Sequence, residues 1–256
     1  MEKTLEVDQV REIGNRMISI LNLSFPPVGV RLLADGQEFP NEAQRLKQHR
    51  YCQALMKARH GKNVVLDKEG ISCPAAAAAF GFRPLPMGLR SGKGLVGFGI
   101  VSDEEVGKQM FETMVTLPSG AIERLHVYPL DEAEHPPNIV VIEDEVEKLM
   151  WILLSYLHAT GGQRVPSNTA VLQATCVDCT IIPYVENRLN FSYGCYGCRD
   201  ATDIGPNEAV LGFPASMLPL VGEHLQFLSK KAIPTSRSKK ALAALRREES
   251  QQEACG

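Results

Sequence analysis

Two C-x-x-C pairs lie close together in the second half of the chain. The first is Cys176-Val-Asp-Cys179 and the second is Cys195-Tyr-Gly-Cys198, with fifteen residues between them. Two cysteine thiolates three positions apart can bind the same metal ion, and a second pair completes a tetrahedron of sulfur ligands. The spacing therefore predicts a metal ion or an iron–sulfur cluster that is bound by these four cysteines.

The residues between the two pairs predict a β-hairpin. Strand-forming side chains dominate residues 181–185 and alternate with polar ones over residues 189–193. The Glu, Asn and Arg at residues 186–188 are typical of the turn that would join two such strands. A hairpin of this kind would bring the second pair of thiolates over the first.

Two glycines and one arginine flank the second cysteine pair. Gly194 and Gly197 allow a positive φ and a close backbone approach, so that N–H groups can point at the sulfurs. Arg199 follows the pair directly. We expect these three residues to surround the bound group and to offset the negative charge of four thiolates.

Two further cysteines lie in the first half of the chain. Cys52 falls in a predicted helix over residues 44–59, and Cys73 precedes Pro74 and a run of five alanines. Proline suits the first turn of a helix, so Cys73 is expected at a helix N-terminus, where negative charge is favoured. Simple packing of Cys73 against the alanines explains this residue equally well.

The alternation of helix and strand patterns predicts an α/β (or α+β) protein. The same order of patterns begins at Pro26-Pro27 and again at Pro136-Pro137, which indicates an internal duplication. We therefore predict two divergently duplicated half-domains, residues 1–130 and 131–228, that share a pseudo-twofold seam.

Matching the two halves also changes the expected site. The helix around residues 53–58 corresponds to the helix around residues 150–157, and Cys73 falls opposite Cys176. The seam would then bring Cys73 and Cys176 close together. A shared site that includes Cys52 and Cys73 thus competes with the simple four-cysteine hairpin.

Residues 229–256 form a basic tail. We expect this tail to be a solvated segment, either disordered or with a short helix over residues 239–248, and we treat Cys255 within it as incidental. A contact with a partner or with nucleic acid is the alternative. The basic residues are Lys230, Lys231, Arg237, Lys239, Lys240, Arg246 and Arg247.

Residues 87–99 are rich in glycine and invite comparison with a phosphate-binding loop. The spacing fails, because one spacer residue is missing and no serine or threonine follows Lys93. The segment is instead predicted to be a turn that leads into a strand over residues 95–100.

Bulk composition excludes several classes of function. The 256 residues carry a net charge of −3, which disfavours nucleic acid and anionic membranes as general partners. The opening residues are polar and acidic, and the apolar runs are too short to cross a bilayer, so we expect a cytoplasmic protein. Seven cysteines in a reducing compartment favour metal or redox roles over disulfides.

Four short motifs resemble a known family. They lie at residues 50–53 (Arg-Tyr-Cys-Gln), at residues 71–77 around Cys73, at Gly194–Asp200, and at residues 212–214 (Gly-Phe-Pro). On these motifs the chain is similar, over roughly residues 10–228, to the prokaryotic domain of unknown function 169. The resemblance implies an anaerobic setting and places Cys52 and Cys73 in the same site as Cys195 and Cys198, but it implies no particular activity. An anaerobic setting favours an iron–sulfur cluster, with a 4Fe–4S cluster as the first candidate, over zinc.

The sequence therefore predicts a cluster- or metal-binding protein that works in redox chemistry or electron transfer. Whether it is an enzyme depends on an open coordination position, and no catalytic residue is assigned. A redox partner or a small-molecule substrate is expected, and a homo-oligomer is allowed. One alternative is a zinc-stabilised interaction module. Another is a dithiol redox protein, which ranks lower because the residues after Cys198 make a poor helix start.

Overall fold

The computed structural model describes the backbone of residues 5–255 and the side chains of residues 5–247, so the Cys255 side chain lies outside the described residues. It contains both helices and strands, as the sequence predicts. The strands are β1 (Val28–Leu33), β2 (Gln44–Arg45), β3 (Val64–Asp67), β4 (Arg124–Pro129), β5 (Ile139–Glu145), β6 (Asn190–Ser192) and β7 (Glu208–Pro214).

Twelve α-helices within residues 5–255 surround the strands. They are α1 (Val7–Leu21), α2 (Tyr51–Arg59), α3 (Pro74–Ala79), α4 (Met87–Arg90), α5 (Lys93–Gly97), α6 (Glu104–Glu112), α7 (Val146–Ala159), α8 (Ile182–Glu186), α9 (Tyr196–Ala201), α10 (Leu218–Ser229), α11 (Ala232–Arg237) and α12 (Lys240–Cys255). A π-helix spans Ala174–Ile181, and 3₁₀ turns span Leu130–Glu132 and Ala215–Met217. No helix in this part of the chain is both long enough and apolar enough to cross a membrane.

All seven strands belong to one sheet, in the order β2-β3-β4-β1-β5-β7-β6. Every neighbouring pair is antiparallel except β2 and β3. Both faces of the sheet are buried, since successive strand residues point to opposite faces. Ile139 and Val141 contact a core beneath α2, α3 and the π-helix, whereas Val140 and Ile142 contact a core beneath α1, α7 and α10.

The strand order has the symmetry that a duplication would produce. From the centre outward it runs β1-β4-β3 in the first half and β5-β7-β6 in the second. The helices break this symmetry, because α2 packs on one face and α7 on the other. A twofold axis between antiparallel neighbours is perpendicular to the sheet and would keep equivalent helices on the same face. The predicted match of these two helices is therefore wrong, and the duplication is not confirmed.

The structure corrects three local predictions. Residues 181–185 are helical, because Ile181 and Ile182 are both buried and Pro183 occupies the first turn of α8. A short apolar run of this kind fits a buried helix as well as a strand. Residues 95–100 form the end of α5 and a loop in place of a strand. The predicted helix over residues 44–59 begins only at Tyr51, since residues 44–45 pair with β3.

Gly212 in β7 allows the π-helix to lie against the sheet. A Cβ atom at this position would lie 1.8 Å from the carbonyl oxygen of Cys179. Because that obstacle is backbone, we expect Gly212→Ala to destabilise the protein by about 3 kcal/mol or more in urea unfolding. Gly97→Ala is the matched control, because no atom lies within 4 Å of its added methyl group and α5 would gain helix propensity. Equal midpoints for the two variants would contradict the close packing of the π-helix on β7.

Candidate metal or redox centre

Five cysteine side chains meet at one end of the core beneath α2 and α3. The Cys198 thiol lies beside the thiols of Cys52 and Cys195. Cys176 lies close enough to Cys73, Cys195 and Cys198 for their charges to interact. Three of the five are buried, whereas Cys73 and Cys195 are partly exposed. The site therefore lies at the edge of the core with an opening to solvent.

Four of these cysteines are at helix N-termini. Cys52 is the second residue of α2, Cys73 is the N-cap of α3, and Cys195 is the N-cap of α9. Pro74 starts α3 as the sequence predicts. The prediction that the second C-x-x-C pair makes a poor helix start is wrong, because α9 begins directly after Cys195 and includes Cys198 in its first turn. The N-terminal ends of three helices, where negative charge is favoured, therefore lie at this group of thiols.

Cys179 differs from the other five cysteines. It is fully buried, and its thiol donates a hydrogen bond to the Val210 carbonyl of β7 at 3.4 Å. On the π-helix, Cys176 faces the other four thiols, whereas the Cys179 thiol is bonded to the sheet, although it is still close enough to Cys198 for their charges to interact. The two pairs do not meet across a hairpin, since the first strand of that hairpin is absent.

A chain of buried hydroxyl groups connects Cys198 to α2. The Thr175 hydroxyl lies 3.0 Å from the Cys198 sulfur, and Thr180 donates to the Thr175 carbonyl at 2.7 Å. Tyr51 then reaches the Thr180 hydroxyl at 2.9 Å. The sequence did not identify Thr175 as a site residue, because its approach to Cys198 depends on the π-helical turn.

Two side chains at the N-terminal end of α2, those of the N-cap Arg50 and of Gln53, hold the helix that carries Cys198. The Arg50 guanidinium donates to the Gly197 carbonyl at 2.8 Å, and the Gln53 amide donates to the Ala201 carbonyl at 3.1 Å. These bonds fix α9 against the N-terminus of α2, so that Cys52 and Cys198 stay in contact.

The glycines and the arginine of the second pair take different roles. The backbone N–H groups of Gly197 and Cys198 donate to the Cys195 sulfur. Gly194 has a φ of 92°, which favours glycine. The Arg199 guanidinium donates to three carbonyl groups, among them Tyr193 at 2.6 Å, and so it stabilises the surrounding loop.

The thiols of Cys176, Cys195 and Cys198 have raised pKa values. Burial, followed by the nearby Cys73, raises the pKa of Cys176. The hydrogen bond with Cys198, followed by burial, raises the pKa of Cys195, although two backbone N–H groups oppose this rise. The Cys195 contact lowers the pKa of Cys198, but contact with Cys52 and burial outweigh it. A bound cation would reverse these effects, because it stabilises the thiolates.

Asp178 lies between the two cysteines of the first pair. It lies within the π-helix, and its exposed fraction is only 3%. Burial raises its pKa to about 7, against a hydrogen bond that Thr169 donates at 3.1 Å.

The five thiols converge without a closed set of ligands for a single ion. Within residues 5–247, no three side chains of His, Cys, Asp or Glu are arranged to hold one metal ion as they stand. The chemistry of the donors is nevertheless that of a soft metal or an iron–sulfur cluster, since thiols from separate elements meet at a partly open site.

Comparison with known proteins agrees with the motifs around these cysteines. The profile of domain of unknown function 169, described as Uncharacterised ArCR, matches residues 16–224. The chain belongs to this family. A relative is the uncharacterized protein MJ0308 of Methanocaldococcus jannaschii, which is 27% identical over 225 residues, or 87% of this chain and 96% of that protein. No solved structure matches the chain. The family match includes all six of the cysteines discussed here and ends before the basic tail.

Proposed function

We propose that the protein binds an iron–sulfur cluster, or a metal ion, through Cys52, Cys73, Cys195 and Cys198, with Cys176 as a fifth thiol beside them. The observation that carries this proposal is the convergence of thiols from three separate helix N-termini.

A cluster is favoured over zinc. One tetrahedral zinc ion requires four sulfurs about 3.8 Å apart, as follows from a Zn–S bond of about 2.3 Å. Five thiols lie together here, one more than a single tetrahedral ion binds, and a cluster is large enough to be held by thiols that are farther apart. When bound, a cluster would supply one-electron transfer.

The protein's own groups would then set the reduction potential and the access route. The N–H groups of Gly197 and Cys198 and the Thr175 hydroxyl are placed to hydrogen-bond to sulfur, which stabilises the more negative state. Tyr193 and Tyr196 beside Cys195 are 64% and 61% exposed. These rings give a redox partner or a small-molecule substrate a contact surface next to the partly exposed sulfur.

Anaerobic purification tests the proposal. We expect a brown protein that contains roughly four iron and four acid-labile sulfide atoms per chain. A colourless protein with stoichiometric zinc would instead support the zinc-stabilised interaction module. Recovery of neither metal nor sulfide, even after anaerobic reconstitution with iron and sulfide, would overturn the cluster.

A dithiol function is the second candidate, because Cys195 and Cys198 touch each other and open a helix directly after β6. In this reaction the two thiols form a disulfide and pass two electrons and two protons to a disulfide substrate, which becomes two thiols. The matching result is a metal-free protein that loses two titratable thiols on mild oxidation.

We also propose the finer points of organisation that accompany this function. The symmetric strand order supports a duplication of the sheet, with half-domains at residues 1–130 and 131–228 and a tail at residues 229–256. Six free thiols fit a reducing cytoplasm, and a homo-oligomer fits the partly open site.

A further inference from the structure

A pair of histidines lies on the opposite face of the sheet from the cysteines. His158 is near the end of α7, and His224 is in the middle of α10, which packs beside α7. Their Nδ1 atoms are in direct hydrogen-bonding contact, and the ring centroids are 4.7 Å apart at an angle of 61°. The Phe227 ring stacks on His158 at a centroid distance of 5.0 Å and limits its rotation.

This contact assigns a role to each ring. One Nδ1 donates a proton and the other accepts it, so one ring nitrogen already directs its lone pair at the other ring. Among the side chains of residues 5–247, neither ring pairs with a carboxylate. Two imidazole nitrogens thus face each other on a frame of two packed helices.

Imidazole nitrogen is a preferred ligand of Zn²⁺, Ni²⁺ and Cu²⁺. A metal ion that replaces the shared proton would bind both Nδ1 atoms after the rings open slightly, and water would complete its coordination. We propose that His158 and His224 form a second transition-metal site that joins α7 to α10. It is independent of the cysteine site, because the two lie on different faces of the sheet.

Nickel binding to the full chain tests this site. We expect the wild-type protein to bind roughly one more nickel ion per chain in equilibrium dialysis than the His158→Gln/His224→Gln variant. The melting temperature should rise by roughly 2–4 °C at a nickel concentration about five times Kd, and this increment should be absent from the double variant.

The controls separate this site from the cysteines and from other histidines. His49→Gln should keep the additional nickel ion, since His49 contacts the Lys47 carbonyl and no second imidazole. Cys195→Ser/Cys198→Ser should keep it as well. Equal nickel stoichiometry and equal melting shifts in the wild-type protein and the double histidine variant would overturn the proposal.

Discussion

Replacing Cys198 with serine should remove nearly all of the iron from the anaerobically purified protein, whereas replacing Cys179 should leave the iron in place. The reason is the direction of each thiol. Cys198 contacts Cys52, Cys195 and the Thr175 hydroxyl, so it lies at the centre of the group of five thiols. The Cys179 thiol is instead bonded to the Val210 carbonyl of β7.

The content of iron and acid-labile sulfide per chain is measured for each variant, and its visible absorption spectrum is recorded. Both variants remove one buried sulfur from the same region, so Cys179→Ser controls for general damage to the core. Circular dichroism and a thermal melt of each metal-free variant would show whether the fold survives. Retention of iron by Cys198→Ser with loss from Cys179→Ser would reject the set of ligands proposed here.

Replacing Arg59 with leucine should lower the free energy of unfolding by about 3–5 kcal/mol, because it leaves a buried carboxylate without its partner. The Arg59 side chain is only 2% exposed and lies 3.7 Å from Glu143, 2.5 Å from Asp203 and 3.3 Å from Glu208. The Phe25 ring covers its guanidinium at 4.5 Å. Burial already raises the pKa of Glu143 to about 7, despite the attraction of Arg59.

Urea unfolding of three variants checks this expectation. Lys68→Ala removes an exposed ion pair, with Glu69 at 3.9 Å, and should change stability by no more than about 0.5 kcal/mol. Adding Glu143→Leu to Arg59→Leu should restore part of the loss, since no buried charge then remains unpaired. A loss below about 1 kcal/mol for Arg59→Leu alone would mean that water reaches Glu143.

The importance of Arg59 for the site follows from its position. It is the last residue of α2, whose first turn carries Cys52, and its partners lie on β5, on β7 and just after α9. The ion pairs of Arg59 therefore connect the C-terminal end of α2 and the segment after α9 to the sheet.

Local patterns were enough to predict most of the regular elements. The strand Val28–Leu33 follows directly on the Pro26-Pro27 at which the first repeated pattern begins, and Pro74 marks the start of α3. The local pattern does not reveal β4, a central strand. His126 and Pro129 interrupt its apolar pattern, although the strand is buried on both faces. A strand of this kind shows no clean alternation of apolar and polar residues.

The cysteines were identified from their types and spacing, but their grouping was only partly predictable. The spacing of the two C-x-x-C pairs suggested that four neighbouring thiols act together. The family motifs instead associated Cys52 and Cys73 with Cys195, and the structure places these thiols close together. Spacing along the chain cannot show that Cys179 faces the sheet, because this depends on a π-helical turn that shifts each side chain relative to an α-helix.

The group of five thiols combines residues from the N-terminal and the C-terminal parts of the family domain. Arg50 and Gly197, which are bonded across it, stand 147 positions apart in the sequence. This group of thiols cannot form early in synthesis, because Cys198 is added only after most strands of the sheet have been made. An inorganic group held by Cys52 and Cys198 together can therefore bind only after both segments have been made and have come into contact.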